Sequence, residues 1–329
     1  MPRVVAAPDK FRGTATAREA AAAIARAAAS VGWACDEVPM ADGGEGLLDV
    51  LDGRLRRARA RDPLGRPVDA EWALLDDTAV VESARAIGLA LVGGPEGNDP
   101  MRASSAGVGD LVNAALLAGA RRVIVGLGGS ATTDGGLGCV TALEPHGRLR
   151  GVELLAACDV DTTFVEAAEV FAPQKGATAA QVSLLRRRLE RLAQVYEDRF
   201  GVDVRDVPGS GAAGGLAGGL LALGATVVPG VELVADHLGL PDRLEGADVV
   251  VTGEGFLDEQ SFHGKVVGGV VELAAEAGVP VLVVVGEVVE GTMVPCVSLV
   301  ERFGVDRAVT ETTACIEEVV AAHLASLTP

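Results

Sequence analysis

Seven carboxylates stand where a chain could use them for chemistry. They are Asp42 and Glu45 in ADGGEG, Asp134 in GLGGSATTDGG, Asp159 and Asp161 in ACDVD, and Glu254 and Asp258 in TGEGFLDEQSFHGK. An eighth, Asp9, precedes Lys10 in APDKFRG. Carboxylates gathered in one cleft repel each other and need cations. Mg2+ prefers oxygen ligands and usually bridges one or two carboxylates to nucleotide phosphates. A lysine then neutralises the transferring phosphoryl group, while a carboxylate orients the attacking hydroxyl and takes its proton. Glycines beside these residues let backbone N–H groups approach an anion closely. Asp134 and Asp258 fit helix caps or turn residues better than catalysts.

The lysines point the same way. Lys10, Lys175 and Lys265 are the three lysines among 28 basic residues, and the remainder are arginine. Lysine is a compact point charge and arginine a planar fork, so the two do not exchange freely in a tight phosphate pocket. Each lysine sits beside glycine or a turn, in DKFRG, APQKGA and SFHGK. Lys10 and Lys265 read as phosphate ligands, while for Lys175 the functional and structural readings balance. The histidines, His146, His237, His263 and His323, are scattered and read as structural or solvated rather than as metal ligands.

Other chemistries fit less well. A net charge of −18 argues against a nucleic-acid partner. The apolar runs, such as Val281 to Val285, fall short of the ~18 residues a membrane span needs. The N-terminal stretch reaches Asp9 and Lys10 too soon for a signal peptide. The five cysteines form no CxxC pair, and a reducing cytoplasm suits them. No GxxxxGK[ST] occurs. PGSGAAGG contains GxGxxG, but no clear apolar strand precedes it, so it reads as the start of a helix lined by small residues.

The elements that must position these loops follow a repeated strand, loop, helix pattern. Strands are expected at Val4–Ala7, Cys35–Met40, Arg122–Val125, Leu154–Cys158, Asp248–Thr252 and Val281–Val285. Helices are expected from the capping-box spacing Thr16-Ala17-Arg18-Glu19 to about Ser30, and over 46–55, 107–118, 178–200, 266–277 and 316–326. Residues 56–100 differ, reading as antiparallel strands around DPLGRP. The expected fold is α/β: a Rossmann-like, doubly wound parallel-sheet domain (1–55 and 235–329) interrupted by a mixed α/β domain (56–234). Ligands bind such sheets at the carboxyl ends of the strands, where the candidate loops fall.

In these residues the chain resembles the bacterial two-domain glycerate kinase family. The stretches that carry the likeness are APDKFRG (7–13), PMADGGEG (39–46), SSAGVGDL (104–111), GLGGSATTDGG (126–136), ACDVD (157–161), FAPQKGAT (171–178), PGSGAAGGL (208–216) and TGEGFLDEQSFHGK (252–265). They occur in the family's order over roughly four fifths of the chain. The resemblance implies ATP-dependent phosphorylation of D-glycerate, most often to 2-phosphoglycerate, with Mg2+ and an active site in the interdomain cleft.

By that resemblance Asp42 positions or deprotonates the glycerate hydroxyl, and Asp159 is the second candidate. Lys10 and Lys265 contact phosphate or the glycerate carboxylate. Asp9, Gly43, Gly44, Glu45, Gly128, Gly129, Ser130, Thr132, Lys175, Gly211, Glu254 and Ser261 bind substrate or phosphate, and Asp161 and Glu254 sit near the metal. The chain departs from the family pattern after Leu143, where EPHGRLRGVEL stands for a longer segment, after DVD, where TTFVEAAE stands, and in a shorter region after Gly286. These shortened loops leave two alternatives open: a kinase for another small hydroxy acid, and a non-catalytic ligand-binding relative. The expected partners are small molecules, glycerate and ATP, with no nucleic acid and no membrane, and a homo-oligomer stays open.

Overall fold

Valine runs without polar interruption suit strands buried on both faces. The computed structural model, which describes residues 1–11, 13–257, 265–289 and 295–327, uses them so. Among those residues the strands are, in chain order, β1 (Arg3–Ala6), β2 (Ala34–Glu37), β3 (Arg54–Arg61), β4 (Pro67–Leu75), β5 (Thr78–Glu82), β6 (Arg122–Gly126), β7 (Glu153–Ala157), β8 (Thr226–Val228), β9 (Val249–Leu257), β10 (Val281–Val288) and β11 (Val297–Ser298). They form two sheets in two compact units: Met1–Asp42, Asp49–Leu51 and Gly230–Pro329, then Gly43–Leu48 and Asp52–Pro229. Among the described residues no helix is long and apolar enough to cross a membrane.

The first unit is doubly wound. Its strands run in the order β11-β10-β9-β1-β2, all parallel. Successive side chains point to opposite faces. Val4, Ala6, Val251 and Val284 pack on the helices Ala17–Ser30 and Thr312–Leu327. Val283 and Val285 turn the other way and meet Val267 of the helix Val266–Ala277. The first helix starts where its capping box predicts, with the Thr16 side chain on the Glu19 N–H and the Glu19 carboxylate returning to Thr16. Its buried face is almost entirely alanine, which lets it lie close to Thr312–Leu327.

The second unit carries a mixed sheet, β3-β4-β5-β6-β7-β8. The β3–β4 and β4–β5 pairs are antiparallel, and β5 through β8 are parallel. The DPLGRP turn joins β3 to β4 as an Asx-type turn: the Asp62 carboxylate accepts the N–H groups of Leu64 and Arg66 at 2.9 and 2.8 Å. The helices Ala106–Leu117 and Ala179–Phe200 follow the expected spans, the latter capped by Thr178 and Gln181.

Four expectations change. Residues 46–55 are helical only over Leu47–Val50, because the Arg/Ala alternation from Arg54 pairs as β3. The strand expected over Cys35–Met40 ends at Glu37, although Val38 and Met40 still donate to the carbonyls of Ala6 and Pro8. TGEG is not a loop. It continues β9, and Gly253 is required there because a Cβ would run into the Val284 carbonyl on β10. Gly43–Leu48, which texture placed with the first unit, groups with the second. A Cβ on Gly126 would lie 2.5 Å from the Gly43 carbonyl, and one on Gly128 3.0 Å from the Gly44 Cα, so these two backbones touch.

A second close approach fixes the GLGGSATTDGG turn against the helix Ala212–Ala222. A Cβ on Gly219 would lie 2.8 Å from the Gly136 Cα and 3.0 Å from the Gly135 carbonyl. Alanine is worth up to ~1 kcal/mol over glycine in a helix, but overpacking costs about 1–3 kcal/mol. Gly219→Ala is therefore expected to lower the denaturant midpoint. An unchanged or raised midpoint would show that the two backbones can part at little cost.

Candidate functional site

In the first unit the acidic loops leave neighbouring strands at one end of the sheet. β1 runs on through Ala7-Pro8-Asp9, with the N–H groups of Ala7 and Asp9 donating to the Val251 and Gly253 carbonyls at 2.8 Å. Met40 N–H donates to the Pro8 carbonyl at 2.9 Å, which sets the segment leading to Asp42 alongside. The Thr252 hydroxyl donates to the Ala7 carbonyl at 2.8 Å and locks the pair. Asp9, Lys10 and Asp42 are thus brought together, beside the Gly253-Glu254 stretch of β9.

Asp9 is buried, and its carboxylate accepts the Lys10 N–H at 2.7 Å, with Lys10 Nζ 3.6 Å away. Burial pushes its pKa up to about 6, against the pull of Lys10 and with a further push from Asp42. This carboxylate therefore holds a proton more readily than a free aspartate does. Lys265 is the N-cap residue of Val266–Ala277. Ser261, Asp258 and His263 lie outside the described residues.

In the second unit three parallel strands end in one row, with Glu82 beside Gly126 and Gly126 beside Ala157. The candidate loops leave from that row. Asp159 and Asp161 follow β7. Gly128, Gly129, Ser130 and Thr132 follow β6, where Gly128 N–H donates to the Ser83 hydroxyl at 3.2 Å and Ser83 donates to the Gly128 carbonyl at 3.1 Å. Gly43, Gly44 and Glu45 lie against the start of that loop. Glu45 and Gly129 line one cavity of about 560 Å³ together with Glu82 and Arg85.

Lys175 resolves toward structure. Its side chain is buried, and Nζ donates to Ser130 Oγ at 3.0 Å and to the Thr132 carbonyl at 2.7 Å. Asn98 Nδ2 ties the same two segments, donating to the Ala131 and Lys175 carbonyls at 3.0 and 2.9 Å. Burial lowers the Lys175 pKa to about 7, and nearby Asp134 opposes that fall. Gly211 is also a packing position. Its N–H donates to the Thr162 carbonyl at 2.9 Å, and a Cβ would run into the Thr163 carbonyl. Asp134 is a cap: it accepts from the Ser105 N–H and hydroxyl and from the N–H groups of Gly136 and Gly138.

Sequence reasoning missed Glu82. It is 1% exposed at the end of β5, and Oε1 accepts the N–H groups of Gly46 and Leu48 at 3.0 and 2.9 Å. Arg85 Nε donates to Oε2 at 2.9 Å. Glu82 is therefore the cap for the Leu47–Val50 turn and the anchor of the ADGGEG loop. The available signal was a carboxylate ending an apolar strand, but the backbone groups it holds lie more than thirty residues away in the chain.

Comparison with known proteins follows the same lines. A sequence model of the Glycerate kinase family matches residues 4–146 and 144–325. An uncharacterized protein of Mycobacterium bovis is 43% identical, over 87% of this chain and 79% of its own. Glycerate 2-kinase of Escherichia coli (strain K12) is 36% identical, over 92% and 89%. A crystal structure provisionally assigned as glycerate kinase 2 from Salmonella typhimurium LT2 superposes with a TM-score of 0.84 at 32% identity, covering 100% of both chains. These likenesses define a kinase, an ATP-dependent phosphotransferase acting on an alcohol group. The chain belongs to the glycerate kinase family.

Two outcomes follow from this geometry. Removing the Glu82 carboxylate strands two backbone N–H groups and takes one of two carboxylate partners from Arg85, which keeps Glu71 at 3.7 Å. Charge-assisted hydrogen bonds are worth ~1.5–3 kcal/mol each, so Glu82→Ala is expected to cost at least ~2 kcal/mol and to reduce turnover. A variant with wild-type melting and rate would refute the anchoring role. For Lys175, the ordinary value of 10.5 falls to about 7 on folding. Between those pH values the unfolded chain holds a proton that the folded chain lacks, so stability should rise with pH across that window. Lys175→Met should flatten the rise, read as the denaturant midpoint from about pH 7 to about pH 9.

Proposed function

We propose that this kinase phosphorylates D-glycerate with Mg-ATP at the 2-hydroxyl, giving 2-phosphoglycerate. The observation that carries the reading is the likeness to a glycerate 2-kinase along nearly the whole of both chains. The gathering of Asp9, Lys10 and Asp42 supports it, because it supplies a base beside a cation for the attacking hydroxyl and its phosphoryl acceptor path.

Asp42 takes the hydroxyl proton as the oxygen attacks the γ-phosphorus, and Asp159 is the alternative base. Lys10 and Lys265 face the phosphate or glycerate carboxylate charge. The N–H groups of Gly43, Gly44, Gly128 and Gly129 hold phosphate oxygens. Ser130 Oγ already accepts from Lys175, so its own proton is available to a substrate oxygen. Thr132 has its carbonyl taken by Lys175 and contributes through the loop it stiffens.

The donor set fits Mg2+ arriving on the nucleotide. Among the described residues no three Asp, Glu, His or Cys side chains gather as a cage, and Mg2+ in such enzymes needs only one or two carboxylates besides phosphate oxygens. Asp161 and Glu254 are the proposed carboxylates, and the ion when bound offsets charge on the phosphates. A reducing cytoplasm is the proposed compartment, on the unpatterned cysteines.

Phosphorus NMR of the product from Mg-ATP and D-glycerate tests the reading. 2-Phosphoglycerate is the expected product. 3-Phosphoglycerate would overturn the position, and no phosphoglycerate would overturn the substrate. Asp42→Asn should lower kcat by roughly 10²–10⁴-fold with an unchanged circular dichroism spectrum. If Asp159→Asn shows that loss and Asp42→Asn does not, the base is Asp159.

A further inference from the structure

Beside the Thr133-Asp134 end of the loop that follows β6, the second unit holds a groove of about 830 Å³. The helix Ala179–Phe200 forms one wall, and the stretches around Arg102 and Leu137 form others. Its lining is aliphatic, with Leu137 and Leu184 each 48% exposed, and it includes no aromatic ring. Apolar side chains left exposed along one concavity retain a driving force for burial.

The charge in this groove is unusual for the chain. Arg186, Arg199 and Arg205, on or just after the same helix, are all engaged with carboxylates. Arg102, Arg187 and Arg191 line the groove and make no ion pair and no side-chain hydrogen bond among the described residues. Arg61 and Arg188 also line it but are held by Asp110 and the Met101 carbonyl. The one carboxylate in the lining, Asp134, is saturated by the Ser105, Gly136 and Gly138 donors described above. In a chain of net charge −18 this concavity is locally cationic.

A second observation is independent of charge. Thr133 lines the groove and is 1% exposed, yet its Oγ1 has no hydrogen-bond partner among the described residues.

We propose that this groove binds an organic anion with an aliphatic body, of the medium-chain acyl carboxylate class. The alkyl chain lies on the leucines, the carboxylate faces Arg102, Arg187 and Arg191, and a nucleotide is disfavoured because no aromatic side chain is present to stack its base. The site is separate from the phosphotransfer residues proposed above.

Isothermal titration with sodium dodecanoate below its micelle concentration tests this on the full chain. The expected result is saturable binding at one site per chain, at least tenfold weaker in Arg187→Glu/Arg191→Glu. The exposed arginines can be reversed without touching the core, and circular dichroism with retained kinase activity confirms the fold. Arg187→Gln/Arg191→Gln serves if the reversal does not fold. The proposal is overturned by an absence of saturable binding, by equal affinity in the variants, or by displacement of dodecanoate by ATP. It also fails if sedimentation shows a wild-type dimer that these substitutions dissociate, since the groove would then be covered by a second copy.

Discussion

A carboxylate sealed at the end of a strand is stable only if fixed donors surround it, and Glu82 shows what that constraint builds. Its two oxygens are answered by the N–H groups of Gly46 and Leu48 and by Arg85. Burying a charge without such partners would cost several kcal/mol. The ADGGEG loop therefore sits against β6, and the glycines at 126 and 128 are what let its backbone come that close. A short turn with almost no helix propensity of its own is held by a partner from another strand.

The same logic runs through the neighbouring loop. Lys175 is an amine placed where water does not reach, and it reaches Ser130 and the Thr132 carbonyl instead. Asn98 reinforces the join, and Asp134 gathers the N–H groups at the start of two helices. Polar groups thus stiffen a glycine-rich segment that would otherwise carry a large conformational entropy. Rigid backbone donors hold an anion better than mobile ones, because little ordering remains to be done when the anion arrives.

Much of the fold was legible because its signals are local. Thr16 with Glu19, and Thr178 with Gln181, announce helix starts within four residues. The valine runs announce strands, and DPLGRP a hairpin. Where expectation and structure part, a distant partner intervenes. Gly253-Glu254-Gly255 looks like a loop until β10 pairs with it, and Arg54 and Leu55 look helical until β4 does. The candidate site divides in the same way. Asp42, Lys10 and Glu45 are visible from their loops, whereas Glu82, Ser83 and Asn98 carry no local mark of the backbone groups they hold. Lys175 was visible, but its role was not: a lysine beside glycine reads equally as ligand or strut until its burial is known.

The sequence alone determined the strand-and-helix alternation, the sites of the glycine-bearing acidic loops and the family, since each rests on neighbouring residue types and their spacing. The tertiary structure alone decided which carboxylates and lysines are sealed inside and which stand at strand ends. It also decided that a Cβ at Gly211 or Gly219 would meet neighbouring backbone, and that unpaired arginines share a groove with Thr133. Burial and partnership depend on residues far apart in the chain, and desolvation disfavours the charged form of a side chain that water would leave ionised.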